Sequence, residues 1–330
     1  MRAYVLRAYG GPEVLRLSEA PDPVPGPDDV LVAVHAAGVN HGDTAQRQGR
    51  YPPPEPRPPR GIPGLEFAGE VLATGDRVRR HRVGDRVFGL LPGGGYAERV
   101  ATHERLALAI PEGMPWTDAA AIPEVYLTAY DALFRQAGLR AGEAVLIHAV
   151  ASGVGTAALQ MALAAGATVY GTSRSSEKCR RALGMGAAAA VDMGDGAWDF
   201  AATIVAAHAG RPVDVVLDLV GGAYLARNLA VLGTGGRMVT LALKGGARAE
   251  VDLGLVMARR LRLSGSTLRP RPIEEKIALT AEFERLMVPL FTDGRLRPVV
   301  DRVLPWTEAA EAHRLIEAAA VVGKVVLGVG

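Results

Sequence analysis

The stretch EAVLIHAVASGVGTAALQMALAAGA, residues 143–167, runs an apolar segment into Gly153-Val154-Gly155-Thr156-Ala157-Ala158 and then into a helix-forming Ala/Leu/Met segment. Few folds accommodate a strand that ends in G-x-G-x-x-A and continues as a helix. Gly153 allows a tight turn, Gly155 lets backbone approach a pyrophosphate, and Ala158 is small enough for close helix–strand packing. The helix start then presents free N–H groups and the positive end of its dipole to phosphate. Ser152, Gly153, Val154 and Gly155 are therefore the candidate phosphate cradle of a dinucleotide site. His148 and Ser152 also have plain readings, as a hydrogen-bonded core histidine and a turn serine.

The residues beyond the turn support a nucleotide-binding unit. Strands are expected at 144–149, 168–172, 188–192, 213–219 and 237–242, with helices at 156–165, 177–183, 200–209 and 224–232. Uniformly apolar strands such as VDVVLDLV predict an α/β unit, a doubly wound parallel sheet covered on both faces. The first third reads differently. Strands at 1–8, 14–19, 29–39, 67–73, 86–89 and 96–102 are separated by Pro/Gly turns such as PDPVPGPDD. YPPPEPRPPRGIPG, 51–64, is the strongest loop signal and reads as either a surface connection or an active-site wall. TDAAAIPEVYLTAYDALFRQAG predicts a helix opened by Thr117 or Asp118 and closed by Gly138, with a kink or break at Pro123. Beyond about Leu268 come a long amphipathic helix, a strand, a second helix and the strand GKVVLGV. The nucleotide-type domain thus reads as an insertion into a β-rich domain.

Composition excludes several classes. With 330 residues, 49% of them hydrophobic, the chain has room for two cores. A net charge of +2 does not argue for nucleic acid. Cys179 is the only cysteine, which leaves no intramolecular disulfide and no cysteine-based zinc lobe. No apolar run reaches membrane-span length, and MRAYVLRAYGG lacks the layout of a signal peptide, so a cytoplasmic protein with no membrane partner is expected.

TVYGTSRSSEKCRR, Thr168 to Arg181, ends the second strand of the alternating half in hydroxyls and cations. About twenty residues beyond the first glycine, an Asp or Glu holds the ribose of NAD. Here that place reads Ser173-Arg174-Ser175, with Lys178 one helical turn beyond Arg174. Arg binds phosphate in a bidentate pair, Lys adds a point charge and the serines donate further hydrogen bonds. The expected cofactor is NADPH. The alternative is a solvated helix start with a serine N-cap.

In AAGVNHGDTAQRQGRYPPP, PGLEFAGEV, GDRVFGLLPGGGYAERV, IPEGMPWTDAAAIPEVYLTAY and IHAVASGVGTAALQ, the chain resembles the medium-chain dehydrogenase/reductase superfamily, in its zinc-independent, zeta-crystallin-like NADPH:quinone oxidoreductase branch. The resemblance implies a GroES-like catalytic domain over 1–120 and 269–330, and a Rossmann NADP(H)-binding domain over 121–268. Zinc-dependent relatives carry Cys where Asn40 stands and Gly-His-Glu where Gly64-Leu65-Glu66 stands. Asn and Leu cannot replace a thiolate and an imidazole, and the histidines are scattered, so no metal is expected.

The resemblance further implies that Asn40, Asp43 and Tyr51 line the catalytic cleft. It places Thr128, Leu241, Leu243, Ser266 and Leu268 on the cofactor, with Lys324 nearby or merely a surface charge. Tyr51 is expected to hydrogen-bond the acceptor or to pack on the proline loop, and Asn40 to act there or as a turn amide. Many NADPH-using relatives carry Tyr where this chain has Met193. The implied reaction is hydride transfer from NADPH to a quinone held between the domains. An enone or enoyl-thioester reductase is the alternative, and a non-enzymatic NADPH-binding or RNA-binding protein a third. A homodimer or higher oligomer is implied, with GRMVTLAL as a possible edge strand.

Overall fold

From Asp29 to Ala36 buried and half-exposed residues alternate, the pattern of a strand with one face in a core, and the strand Asp29–Val39 ends fully buried. This strand is the axis of the first of two units in a computed structural model, which describes residues 1–51, 61–194 and 199–329. Most of the proline loop, residues 52–60, and the Asp that ends VDMGD lie outside the described residues. The units are Met1–Leu127 with Leu268–Gly330, and Thr128–Thr267. Residues 121–127, expected with the nucleotide domain, fall in the first unit.

The first unit begins with β1 (Arg2–Val5), β2 (Arg16–Glu19), β3 (Asp29–Val39), α1 (His41–Arg47), β4 (Glu66–Thr74), β5 (Arg86–Leu90), β6 (Arg99–His103) and β7 (Ala107–Ala109). Short helix α2 (Trp116–Ala119) precedes α3 (Pro123–Tyr130), which passes from the first unit into the second at Thr128, and a π-turn, Asp131–Gln136, follows in the second unit. The single expected helix is therefore split. Of the kink or break expected at Pro123 the structure has the break: Pro123 opens α3, where its missing N–H costs nothing.

The second unit contains β8 (Ala144–Ile147), α4 (Gly153–Ala164), β9 (Thr168–Ser173), α5 (Ser176–Gly184), β10 (Ala189–Asp192), α6 (Phe200–Ala207), β11 (Val213–Asp218), α7 (Leu225–Val231), β12 (Leu232–Thr240), α8 (Leu253–Arg259) and β13 (Arg262–Gly265). All neighbours in the order β10-β9-β8-β11-β12-β13 are parallel. This is the doubly wound sheet the alternation predicts. GRMVTLAL is no edge: β12 lies between β11 and β13, and β13 is the edge strand.

The chain closes with α9 (Ile273–Thr292), β14 (Val300–Pro305), α10 (Ala309–Glu317) and β15 (Lys324–Gly328). β15 pairs antiparallel with β3, Val325 opposite Val39, so the C-terminal strand completes the sheet begun at the N-terminus. Val30, Val32, Phe67, Val71, Val325 and Leu327 share one core. Among the described residues no helix is long and apolar enough to cross a membrane.

At the glycine turn, α4 starts three residues earlier than expected because Ser152 caps it, its Oγ accepting the Gly155 N–H at 3.1 Å. The residue with left-handed backbone is Ala149, φ 47°, not Gly153. Gly155 serves contact within the turn: a Cβ there would stand 2.4 Å from the Ala149 carbonyl oxygen and 2.6 Å from Val150 backbone atoms. Gly155→Ala is therefore expected to cost about 1–3 kcal/mol by overpacking. Urea unfolding checks this, and an unchanged midpoint would show that the turn yields at no cost.

Candidate functional site

In the second unit, the first two N–H groups of α4, on Gly153 and Val154, have no hydrogen-bond partner among the described residues, and both residues are half-buried. Orphan donors on a helix start suit the negative oxygens of a pyrophosphate. The end of β9 lies beside this turn. Ser173 is buried, and its carbonyl accepts the Met193 N–H at 2.6 Å. Ser175 caps α5, its Oγ accepting the Lys178 N–H at 3.5 Å. The alternative reading of that serine thus holds, while its own O–H stays available as a donor. Met193 packs in the core against Tyr170 and Phe200, so no aromatic from this position reaches the surface.

Arg174 is exposed and Lys178 half-buried. Close to both stands Lys244, which sequence reasoning passed over. Desolvation, then the like charges of Arg174 and Lys178, hold its ammonium down at about 8. Lys244 sits on a loop fixed by Gly245 N–H to Val220 O at 2.7 Å and Gly222 N–H to Gly246 O at 2.9 Å. The neighbouring Asp218 carboxylate accepts the N–H groups of Val220 at 2.8 Å and Gly221 at 3.0 Å. Only the pairing of two loops remote in sequence brings this third cation to the first two.

Of the remaining expected cofactor residues, Ser266 lies beside Leu241, its N–H donating to Thr240 O at 3.0 Å. Thr128 and Leu241 are half-buried and Leu243 is exposed. Ser266 donates to Asp131 Oδ2 at 3.0 Å. Leu268 is buried in the first unit. Lys324 departs from both of its readings. It is 3% exposed, with its three N–H donors spent on Val39 O at 3.0 Å, Asn40 Oδ1 at 2.5 Å and Glu66 Oε1 at 2.6 Å. It has no donor left for a cofactor.

That ammonium is the centre of a buried polar cluster in the first unit. Asn40 Nδ2 donates to Glu66 Oε1 at 2.7 Å, and Glu66 Oε2 accepts the Glu124 N–H at 2.8 Å. Asp43, expected to line a cleft, is fully buried. It accepts from the N–H groups of Asn40 at 2.8 Å and Gly64 at 3.0 Å, and from the Tyr96 hydroxyl at 3.3 Å. Burial nevertheless raises its carboxyl to about 6.

A directional chain leads away from Asp43. Arg47 can only donate, so His313 Nδ1 accepts from it at 3.2 Å and Nε2 carries the ring hydrogen to the Tyr96 oxygen at 3.2 Å. Burial, then the Arg47 charge, pushes the His313 imidazole down to about 3, and burial pushes the Tyr96 phenol well up.

Tyr51 is half-buried beside this cluster. The Arg269 guanidinium lies 5.0 Å from its ring centroid and donates to Tyr51 O at 3.2 Å, to Pro92 O at 2.8 Å and to Gln46 Oε1 at 2.5 Å. Burial, then the charge of Glu124, raises the phenol to about 12, so it stays a donor throughout the physiological range. Glu66, Glu124 and Arg269 were not singled out as catalytic residues from sequence; the signal for Glu66 was its place in the stretch GLEF.

The donor set does not fit zinc. Asn40 and Glu66 already hold an ammonium with their oxygens, Leu65 offers no ligand, and among the described residues no three His, Cys, Asp or Glu side chains converge as a metal site.

Comparison with known proteins agrees with this architecture. Residues 26–112 match the model described as alcohol dehydrogenase GroES-like domain, and 153–285 that described as zinc-binding dehydrogenase. A quinone oxidoreductase of Lama guanicoe is 35% identical, covering 99% of this chain and 97% of the relative. One of Pseudomonas aeruginosa is also 35% identical, covering 97% of each. Among solved structures, the Coxiella burnetii quinone oxidoreductase gives a TM-score of 0.81 at 30% identity, covering 100% of this chain and 99% of that one. The CurK enoyl reductase gives 0.87 at 30% identity, covering 99% and 98%.

A parallel sheet with this glycine turn, in one chain with a GroES-like domain, defines an oxidoreductase fold that implies a pyridine nucleotide cofactor. The chain belongs to the medium-chain dehydrogenase/reductase superfamily, in its quinone oxidoreductase branch.

The Asp43 environment has a measurable consequence. Its folded value of about 6 exceeds the unfolded 3.8, so the folded state binds the proton more tightly. That contribution favours folding below the unfolded value and is lost as pH rises through about 6. Asn does not titrate. The stability of Asp43→Asn relative to wild type should therefore improve between pH 4 and pH 7, whatever constant cost comes from placing an amide against the N–H donors. Urea unfolding at both pH values measures the difference, and a pH-independent gap would refute the assignment.

Proposed function

We propose that this protein is an NADPH-dependent, zinc-independent reductase of quinones. The observation that carries the cofactor preference is the grouping of Arg174, Lys178 and Lys244 at the end of β9. A 2′-phosphate is a dianion that such a cluster binds, while the unphosphorylated ribose of NADH gains little from it. The N–H groups of Gly153 and Val154 would hold the pyrophosphate. When bound, the nicotinamide supplies a hydride. Without a fitting set of metal ligands, the acceptor must already be electron-poor, as quinones and conjugated enones are. Tyr51, kept protonated and held by Arg269, donates a hydrogen bond to the acceptor oxygen as negative charge develops there. Reduction of an enone or enoyl thioester is the second reading, favoured by the likeness to CurK enoyl reductase.

Arg174→Ala is expected to raise the KM for NADPH about ten- to a hundredfold, the scale of a lost charged hydrogen bond, and to leave NADH nearly unchanged. Steady-state assays with both cofactors decide this; equal losses would remove the phosphate clamp. A naphthoquinone and a crotonyl thioester compared as acceptors separate the two reactions, and turnover of the thioester alone would exclude the quinone reading.

A further inference from the structure

The proposed reduction leaves one carboxyl of the first unit without a role. Glu124 lies in the first turn of α3, its main chain pinned by the N–H bond to Glu66 Oε2 at 2.8 Å. Its side chain is half-buried and forms no hydrogen bond or ion pair with any described residue. The charged and titratable groups that face it are Glu66 from β4, Asp43 from α1, Lys324 from β15, Lys276 from α9, and Arg269 and Tyr51. Both nearer cations are occupied. Lys324 spends its donors on Val39, Asn40 and Glu66, and Arg269 bonds Pro92, Tyr51 and Gln46. Lys276 Nζ donates to Arg269 O at 3.4 Å. Burial, then repulsion from Glu66 and Asp43, keeps the Glu124 carboxyl protonated up to about 8. Among the described residues it is an unpartnered, half-buried acid in the same cluster as Tyr51.

We propose that Glu124 is the acid that delivers the proton completing reduction of the acceptor. The inference rests on the reductase reading. The acceptor takes a hydride, and with it two electrons, and NADPH is thereby oxidised to NADP+. The resulting hydroquinone monoanion, or enolate, then takes the proton from the Glu124 carboxyl: the acid O–H bond breaks, and an O–H or C–H bond forms on the product. The glutamate left behind faces two other carboxylates and is reprotonated from solvent. Tyr51 and Glu124 divide the work. The phenol holds its proton too tightly to give it up and acts as a hydrogen-bond donor, whereas the carboxyl releases its proton near neutral pH.

The test is single-turnover reduction from pH 6 to pH 9.5 with wild type and Glu124→Gln, which retains shape and backbone N–H. It is paired with infrared difference spectroscopy of the protonated carboxyl band. We expect the rate of wild type to fall above about pH 8. The variant should be at least about tenfold slower, lack that limb and keep its NADPH-over-NADH preference. A protonated carboxyl band that titrates near pH 8 in wild type should be missing from the variant. A variant with wild-type rate and the same limb would overturn the proposal and leave the reductase reading standing. Wild type inert toward both quinones and enoyl thioesters, with the band present, would instead overturn the reductase reading and the donor role together.

Discussion

The buried ion pair of Lys324 with Glu66 is the contact on which the first unit depends. Its partners are 258 residues apart in sequence, and it joins β15 to β4 while Asn40 and Val39 tie both to the end of β3. Taking an ammonium and a carboxylate out of water costs several kcal/mol, which is offset only when every remaining donor is satisfied. All three Lys324 donors are. Removing one partner would strand the other charge in the core. The pair therefore makes the sheet's register at this point nearly all-or-none.

The same pair sets the electrostatics around it. With Lys324 committed to Glu66, the neighbouring carboxyls Asp43 and Glu124 form no ion pair among the described residues, and burial holds protons on both above their ordinary range. Their surroundings then separate them. Asp43 is sealed in by two backbone N–H groups and Tyr96 and braces α1 against the Arg47–His313 chain. Glu124 is half-buried, with no partner among the described residues. One arrangement yields an acid satisfied by hydrogen bonds and one that is not.

In the second unit the strand–turn–helix does comparable work by close approach. Ser152 caps α4, Ala149 takes the left-handed backbone, and Gly155 leaves room for the carbonyl at the end of β8. The helix start lies tight on its strand with two N–H groups that have no partner among the described residues. Loops after β11 and β12 then lock together and carry Lys244 to Arg174 and Lys178.

Much of this was legible in the sequence, because short-range patterns have local causes. The apolar strand before Gly153, the cations at the end of the second parallel strand and the Asn40/Leu65 substitutions could each be read within a few residues. The alternation of strand and helix determined the parallel sheet, since a doubly wound unit must cover both faces of its strands. Pairings between distant segments could not be read. Lys324 looked like a cofactor or surface lysine until β15 was found against β3. Asp43 was expected to line the cleft, and only the fold shows Gly64 and Tyr96 closing over it; Lys244 gained meaning only when its loop came near Arg174 and Lys178. The sequence determined which chemical groups were present and on which elements. The tertiary structure decided which were charged and which were spent, because protonation and hydrogen-bond supply depend on neighbours that the chain brings together only on folding.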